Sequence, residues 1–517
     1  MSSAETATKS APQVLPAWPP QLPPAQLAAL TNLAADYSLS HGLVYRPPAS
    51  PPTQPYPSTS RVIHAPITLF PSPLPRELYA LARRLQPLYN ALYARVATDG
   101  PWLEGVMSAV AKVDDFQEEL LKVWKTVREE GIAQPIELGL WRSDYLVHTL
   151  PDESFTLRQV EFNCISSSFG ALASRTNELH RYLEKATGYY SAHPLLSEGN
   201  LPENGAVGGL ARGIAEAHKA YGVPNATVLF LVQPHERNAF DQRWVEYALL
   251  ETYGVHIERA TFADLVSSAS LGPGKQLLYR SPLHASPLEI SVVYMRAGYT
   301  PTDYAGESDW AARLLVERSR AVKCPSVGAQ LAGAKKVQQA LMEPGVLESF
   351  LLDPSRGPET FTEADLQLLR ASFAPMYALD ATTLQQTIDN AAHLVLKPQR
   401  EGGGNNVYRA NIPPFLEKLP AKERDAWVVM ELIEPPPLRN VLIKAGASEE
   451  GGKEGEVISE LGIFGICLYS SGSTGGGACE ISVNEEVGYL VRTKGRESDE
   501  GGVAVGFSCL DSLVLVD

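Results

Sequence analysis

The run Lys397-Pro398-Gln399-Arg400-Glu401-Gly402-Gly403-Gly404-Asn405-Asn406-Val407-Tyr408 follows the apolar segment Leu394-Val395-Leu396, so a strand is expected to enter a glycine-rich loop there. Three glycines let backbone amides approach an anion with no Cβ in the way, and Lys397 puts a positive charge at the entrance. Such a loop is built to hold phosphate. Glu401 would repel phosphate unless a divalent cation lay between them, so the stretch reads as a site for nucleotide bound with Mg²⁺. Triple glycine alone would describe a surface loop equally well; the lysine and the glutamate favour the cradle. Neither G-x-x-x-x-G-K-[ST] nor G-x-G-x-x-G occurs in the chain, which sets aside the Walker loop and the dinucleotide fingerprint and calls for another nucleotide fold.

The chain around this loop has 517 residues, 44% of them hydrophobic, enough for a large core and for about three domains or one elaborate catalytic unit. A formal net charge of -15 and a pI near 5.3 oppose nonspecific binding to nucleic acid or to anionic membranes, so an anionic substrate needs a local basic site. Cys164, Cys324, Cys467, Cys479 and Cys509 are scattered without a C-x-x-C pair, which fits a reduced compartment better than a disulfide framework or a zinc site. The start Met1-Ser2-Ser3-Ala4-Glu5 shows no targeting pattern and no apolar stretch is long enough to span a bilayer, so the cytoplasm is the expected location.

Residues 1–24 are Ser/Ala/Pro-rich and are expected to form a disordered or loosely docked tail. Helical spacing then appears at Leu27, Leu30, Leu33, Ala34 and Tyr37, again at Leu78, Leu81, Leu85, Leu88 and Leu92 with a kink expected at Pro87, and again from Phe116 to Val127, ending at Gly131. Two strands follow, Leu138 to Leu146 and Leu157 to Asn163. In the second, a period of two puts Glu161 and Asn163 on one face and Val160 and Phe162 on the other, so two oxygen ligands point together. A solvated strand face would show the same alternation. Ile165-Ser166-Ser167-Ser168-Phe169-Gly170 precedes a helical region and offers hydroxyls and amides either to an anion or simply to the helix start.

From Gly222 the pattern changes to strand 228–232, helix 240–250, strand 255–257 and strand 290–295, an α/β module whose strand ends carry Glu236-Arg237-Asn238, Gln242 and Arg296-Ala297-Gly298-Tyr299. Helix 310–322 leads on to Lys335-Lys336, a pair that helical context would ordinarily leave in solvent. Strands are expected at 427–433, 457–466 and 487–491, with the stretches 445–456 and 470–479 as hairpin excursions. Glu460 sits inside an apolar run, a costly place for a lone carboxylate unless it meets a ligand or partner. No internal repeat is visible.

Several of these separated motifs together resemble the eukaryotic-type glutathione synthetases, which are ATP-grasp ligases. The likeness rests on Leu396 to Asn406, on Glu161-Phe162-Asn163 with Ile165-Ser166, on Leu331-Ala332-Gly333-Ala334-Lys335-Lys336, on Ser459-Glu460-Leu461-Gly462, and on Arg492-Thr493-Lys494 with Gly501-Gly502-Val503-Ala504; it runs from about residue 27 to the end. The resemblance implies an α/β (α+β ATP-grasp) fold with antiparallel sheets around the nucleotide. The implied parts are a helical and ATP-grasp portion at 25–223, an inserted parallel α/β substrate domain at 224–332, and a nucleotide-binding portion with a glycine-rich lid at 333–517. It implies ATP-dependent joining of γ-glutamylcysteine to glycine in a homodimer with two Mg²⁺ ions. It implies Glu161, Asn163 and Glu401 as metal ligands. It implies nucleotide contacts from Lys335, Lys397, Gly402 to Asn406, Tyr408, Met430, Glu431, Leu432, Ile433, Glu460 and Lys494. It implies a substrate shell of Arg142, Ile165, Ser166, Ser167, Ser168, Glu236, Arg237, Asn238, Gln242, Arg296, Ala297, Gly298, Tyr299, Arg492, Val503 and Ala504. Ala297 stands where some members carry Asp and Glu500 where Asp is expected, so neither side chain receives a role.

A carboxylate is a poor acyl donor until phosphorylated, so such a ligase makes an acyl phosphate that the amine then displaces, with Arg142, Lys397 and Arg492 as the catalytic cations. No protein nucleophile is required, which leaves Cys164 as a packing residue. The alternatives are a ligase with another acceptor, a small-molecule kinase that stops after phosphoryl transfer, and a protein that binds ATP without turnover.

Overall fold

The computed structural model describes residues 15–47, 60–401, 403–445, 452–471, 478–499, 503, 506 and 508–517. The described part of the Pro-rich start is docked rather than loose. Trp18 is buried edge-on against Phe70 and His193, because so large an apolar ring is costly to leave in water. Helix Pro24–Ser40 follows, with proline in its first turn.

Helix Arg76–Thr98 buries Leu78, Ala82, Leu85, Tyr89, Leu92 and Val96 along one stripe and continues through Pro87, whose carbonyl accepts from Asn484 Nδ2 at 2.9 Å. Helix Asp115–Glu130 starts at Asp114, which accepts from Gln117 N at 3.1 Å, and ends at Gly131 with φ of 88°. Among the helices that escape the periodicity reading are Gly100–Ala111, capped by Asp99, Ala206–Tyr221 and Glu363–Ser372. No described helix is long and apolar enough to cross a membrane.

Among the described residues the largest sheet has thirteen strands. Its spine is the antiparallel hairpin of Lys453–Ser470 with Glu480–Gly495. Strands Ser508–Asp511, Ile67–Thr68 and Leu438–Ile443 link the two arms of this hairpin into a closed circuit. On the other side, Ile136–Thr149 runs antiparallel to both Lys453–Ser470 and Phe155–Asn163. Period-two alternation sends Trp141, Tyr145, Leu461 and Ile463 into one apolar core and Leu138, Leu140, Phe464 and Ile466 into a second on the opposite face.

Strands Ile257–Ala260, Thr227–Leu231, Leu288–Met295 and Val322–Cys324 are mutually parallel, as expected for the α/β segment. They continue the large sheet rather than form a separate one, since Lys323 pairs with Glu137. A second, antiparallel sheet holds Met376–Ala378, Trp427–Glu431, Leu394–Pro398 and Val407–Tyr408. Glu161, Lys335, Lys397 and Glu401 come together where this small sheet meets the large one.

Candidate active site

In Phe155–Asn163, Asp144 pairs with Glu161 but Tyr145 pairs with Gln159, so Val160 is an extra residue in a bulge. Glu161 and Asn163 share a face as the period of two demands, and Phe162 is buried behind them. The bulge turns the Val160 carbonyl outward to accept from Lys397 Nζ at 2.8 Å. One irregularity thus ties the carboxylate strand to the small sheet.

The glycine stretch is a hairpin connection, because Val395 and Leu396 pair antiparallel with Tyr408 and Val407. Gly403 and Gly404 have φ of 73° and 77°, where a Cβ is strained, while Gly402 lies outside the described residues. Gln399 Oε1 accepts from Lys336 N at 3.0 Å, and Arg400 pairs with Asp114. Glu401 then reaches Lys335, whose Nζ lies 2.7 Å from Glu401 Oε1 and 3.2 Å from Glu161 Oε2.

Burial opposes the charge on Glu161, yet Lys335, Lys397, Arg492 and Arg142 together hold its carboxyl well below the usual range. Burial pushes Glu401 up despite Lys335, with Glu161 adding repulsion. Burial lowers Lys397; it also opposes the charge on Lys335, but the two carboxylates win and raise that ammonium. An acidic protein has therefore gathered four cations, Lys335, Lys397, Arg142 and Arg492, around a group of buried carboxylates.

Beside it, Asp144 accepts from Arg142 Nε at 2.6 Å, Arg142 NH2 at 2.9 Å, Arg492 NH2 at 2.9 Å and Asn163 Nδ2 at 2.9 Å. Arg492 also bonds Glu460, its cross-strand partner, and burial pushes that carboxyl up. Lys494 Nζ donates to the Asp499 carbonyl at 2.6 Å. Met430, with Leu432, Ile433 and Tyr408 packed on its cluster, forms an apolar wall, while Glu431 stays exposed at the strand end.

The serine turn has two readings, and the amides at its helix start are engaged within the chain. The amides of Phe169, Ala171 and Leu172 at the start of helix Gly170–Thr187 are already taken by the chain's own Asp241, at 2.8, 3.0 and 3.3 Å. The turn instead orients guanidinium groups: the Ser168 carbonyl accepts from Arg142 NH1 at 3.0 Å and its hydroxyl from Arg296 NH2 at 2.5 Å. Ser166 donates to the Met295 carbonyl and Ser167 to the Asn163 carbonyl, each at 3.1 Å, with Ile165 buried beside them. Glu236 accepts from Asn238 N at 2.7 Å and from Gln242 Nε2 at 3.4 Å. Among the described residues, buried Asn238 Oδ1 and Arg296 Nε have no hydrogen-bond partner, polar atoms suited to a ligand. Arg237 faces the Arg46 carbonyl instead. Gly298 and Tyr299 give their amides to Asp303, and Ala297 is buried. Val503 is buried; Ala504, like Glu500, Gly501 and Gly502, lies outside the described residues.

Residues 24–515 match the family model for the eukaryotic glutathione synthase ATP-binding domain. Glutathione synthetase of Bos taurus is 42% identical over 495 residues, covering 94% of this chain and 96% of its own. That of Homo sapiens is 40% identical with the same coverage. The chain belongs to the eukaryotic glutathione synthetase family. A chloroplastic glutathione synthetase of Solanum lycopersicum is 39% identical over 88% of this chain and 78% of its own. A glutathione synthetase-like effector of Globodera pallida in apo form shares the fold with a TM-score of 0.73, at 21% identity over 96% of this chain and 98% of its own.

Within this glutathione synthetase fold, Asp144 and Asp241 are the residues that sequence reasoning missed. Arg142 and Asp144 are two apart on a strand and so share a face, a signal that was available in the sequence. Glu161, Glu401 and the amide oxygen of Asn163 are hard donors of the kind Mg²⁺ takes, and the Lys335 ammonium sits between the two carboxylates where a cation fits. Among the described residues, no three His, Cys, Asp or Glu side chains group as a metal site by themselves. Cys164 packs against Gly333, where an added Cβ would lie 2.9 Å from its own, and burial raises its thiol well above the usual range.

Proposed function

We propose that this family member joins γ-glutamylcysteine to glycine with ATP, giving glutathione, ADP and phosphate. The observation that carries the reading is the meeting of Glu161 and Glu401 on Lys335, beside Arg142 and Arg492 on Asp144. This meeting supports Lys335 and Lys397 as the cations for phosphate and Arg142 and Arg492 as those for carboxylate, the two kinds that transfer of a phosphoryl group to a carboxylate requires. The substrate carboxylate oxygen attacks the γ-phosphorus of ATP and ADP leaves. The glycine amine then attacks the acyl carbon, phosphate leaves, and the amine gives up its proton.

In this scheme Lys335, Lys397 and Lys494 take the phosphate oxygens, and the apolar wall at Met430 takes the base. Glu460 takes the ribose. Arg142, Ser166, Ser168, Asn238 and Arg296 hold the dipeptide, while Arg492 and the Val503-Ala504 segment hold glycine. Glu161, Asn163 and Glu401 would hold Mg²⁺, which supplies neutralisation of phosphoryl charge. Two such ions, a homodimer, a cytoplasmic location and substrate binding by residues 224–332 complete the reading on the strength of the family resemblance.

The test is ADP release with γ-glutamylcysteine, with and without glycine. Turnover that needs glycine supports the ligase. Equal turnover without glycine would make the chain a kinase, and no turnover with any acceptor a binding protein.

A further inference from the structure

Asp144 is fully buried in the middle of the site and is held by donors of the protein itself. A carboxylate offers about four lone-pair positions. Here Oδ1 takes Arg142 Nε while Oδ2 takes Arg142 NH2, Arg492 NH2 and Asn163 Nδ2, all within 2.6 to 2.9 Å. With no exposed surface, the carboxylate faces protein donors rather than a substrate. Gly462, the residue paired with Asp144 on Lys453–Ser470, makes the same point independently: a Cβ there would lie 2.6 Å from Asp144 Oδ1 and 2.7 Å from Arg142 Cδ. The neighbouring strand carries no side chain where this fork needs room.

We infer that Asp144 is a positioning residue that sets Arg142 and Arg492 as a pair. Two guanidinium groups brought this close repel each other, and one buried anion between them fixes both directions at once. On the reading above, Arg142 meets the donor acid and Arg492 the acceptor carboxylate. One side chain therefore holds the two substrates in register without touching either. Glu460 also bonds Arg492, but it is the residue assigned to the nucleotide, so Asp144 is the partner that does not compete with ATP.

The experiment compares steady-state kinetics of the full-length chain with Asp144→Asn, Gly462→Ala, Arg492→Lys and the Asp144→Asn/Arg492→Lys double variant. In Asp144→Asn, KM for γ-glutamylcysteine and KM for glycine are expected to rise together by about tenfold or more, while KM for ATP stays within about twofold. Gly462→Ala, which keeps every charge, is expected to move the same two constants by a smaller factor, and it gives the answer if Asp144→Asn does not fold. The double variant is expected to bind glycine little worse than Arg492→Lys alone, because the effect of Asp144 on glycine runs through Arg492. A rise in only one substrate's KM, an equal rise for ATP, or losses that simply add in the double variant would overturn the assignment while leaving the ligase reading intact. A wild type that makes no ADP with the two acids would remove both.

Discussion

Lys335 Nζ lies 2.7 Å from Glu401 on the glycine hairpin and 3.2 Å from Glu161 on the bulged strand, so one ammonium closes the small sheet onto the large one. A cation bound between the same carboxylates would free Lys335 for phosphate.

Glu401→Gln should keep the fold, because burial already disfavours the charge on Glu401 and an amide fills the same volume. Turnover should fall by on the order of 100-fold or more through loss of a metal-binding charge. Thermal melting and rates across a Mg²⁺ titration measure both, and normal rates at ordinary Mg²⁺ would reject the ligand role.

The bond between Arg492 and Glu460 should make glycine binding depend on nucleotide. If ATP takes Glu460, Arg492 is released for the acceptor carboxylate, and glycine should bind about 5- to 10-fold more tightly with a non-hydrolysable ATP analogue and Mg²⁺ present. Glu460→Gln should shrink that difference. Calorimetric titration of glycine into both states decides, and identical affinities in wild type would sink the idea.

Helix Ala206–Tyr221 offers a paired test of packing. A Cβ at exposed Gly208 meets nothing within 4 Å, so Gly208→Ala should stabilise by about 0.5 to 1 kcal/mol through lower unfolded-state freedom. At Gly209 the Cβ would lie 2.3 Å from Val487 Cβ, and Gly209→Ala should cost about 1 to 3 kcal/mol before that same gain is counted. Denaturant unfolding gives both values; equal effects would mean that the helix does not rest on Val487.

His180 is buried, with Nδ1 2.7 Å from Ser512 Oγ and Nε2 2.9 Å from the Thr68 carbonyl, and burial pushes its pKa down to about 4 from 6.5. The folded state prefers the neutral ring, so this stability is complete above about pH 6.5 and is lost as pH falls towards 4. The full effect is about 3 kcal/mol. Nearby Asp511, pushed up to about 6 by burial, works in the opposite sense: the proton it gains on acidification favours the folded state. Wild type compared with His180→Gln isolates the histidine, and the stability difference between them should shrink from pH 7 to pH 4.5. A constant difference would show that His180 does not set this slope.

The sequence by itself determined what neighbours along the chain decide. Leu78, Leu85 and Leu92 lie on a helical stripe, Glu161 and Asn163 on a strand face, and the glycines after Lys397 can only make a tight, side-chain-free connection. These follow from 3.6- and 2-residue periods and from the absence of a Cβ, all local properties. The tertiary structure alone decided the partners. Lys335 looked like half of a solvated pair, yet it is 4% exposed, because Glu161 and Glu401 arrive from distant segments to meet its charge. Helix Ala206–Tyr221 was hidden by Gly208, Gly209 and Gly213, which weaken local propensity; Gly209 and Gly213 are there because the helix lies directly on Val487, Leu140 and Ile466. The place of Asp144 beside Arg142 on one strand face was legible, but its second partner, Arg492, lies 348 residues further along. Which strands meet is settled only by how the whole core closes, so a residue whose purpose is to pair two others cannot be read from the segment that carries it.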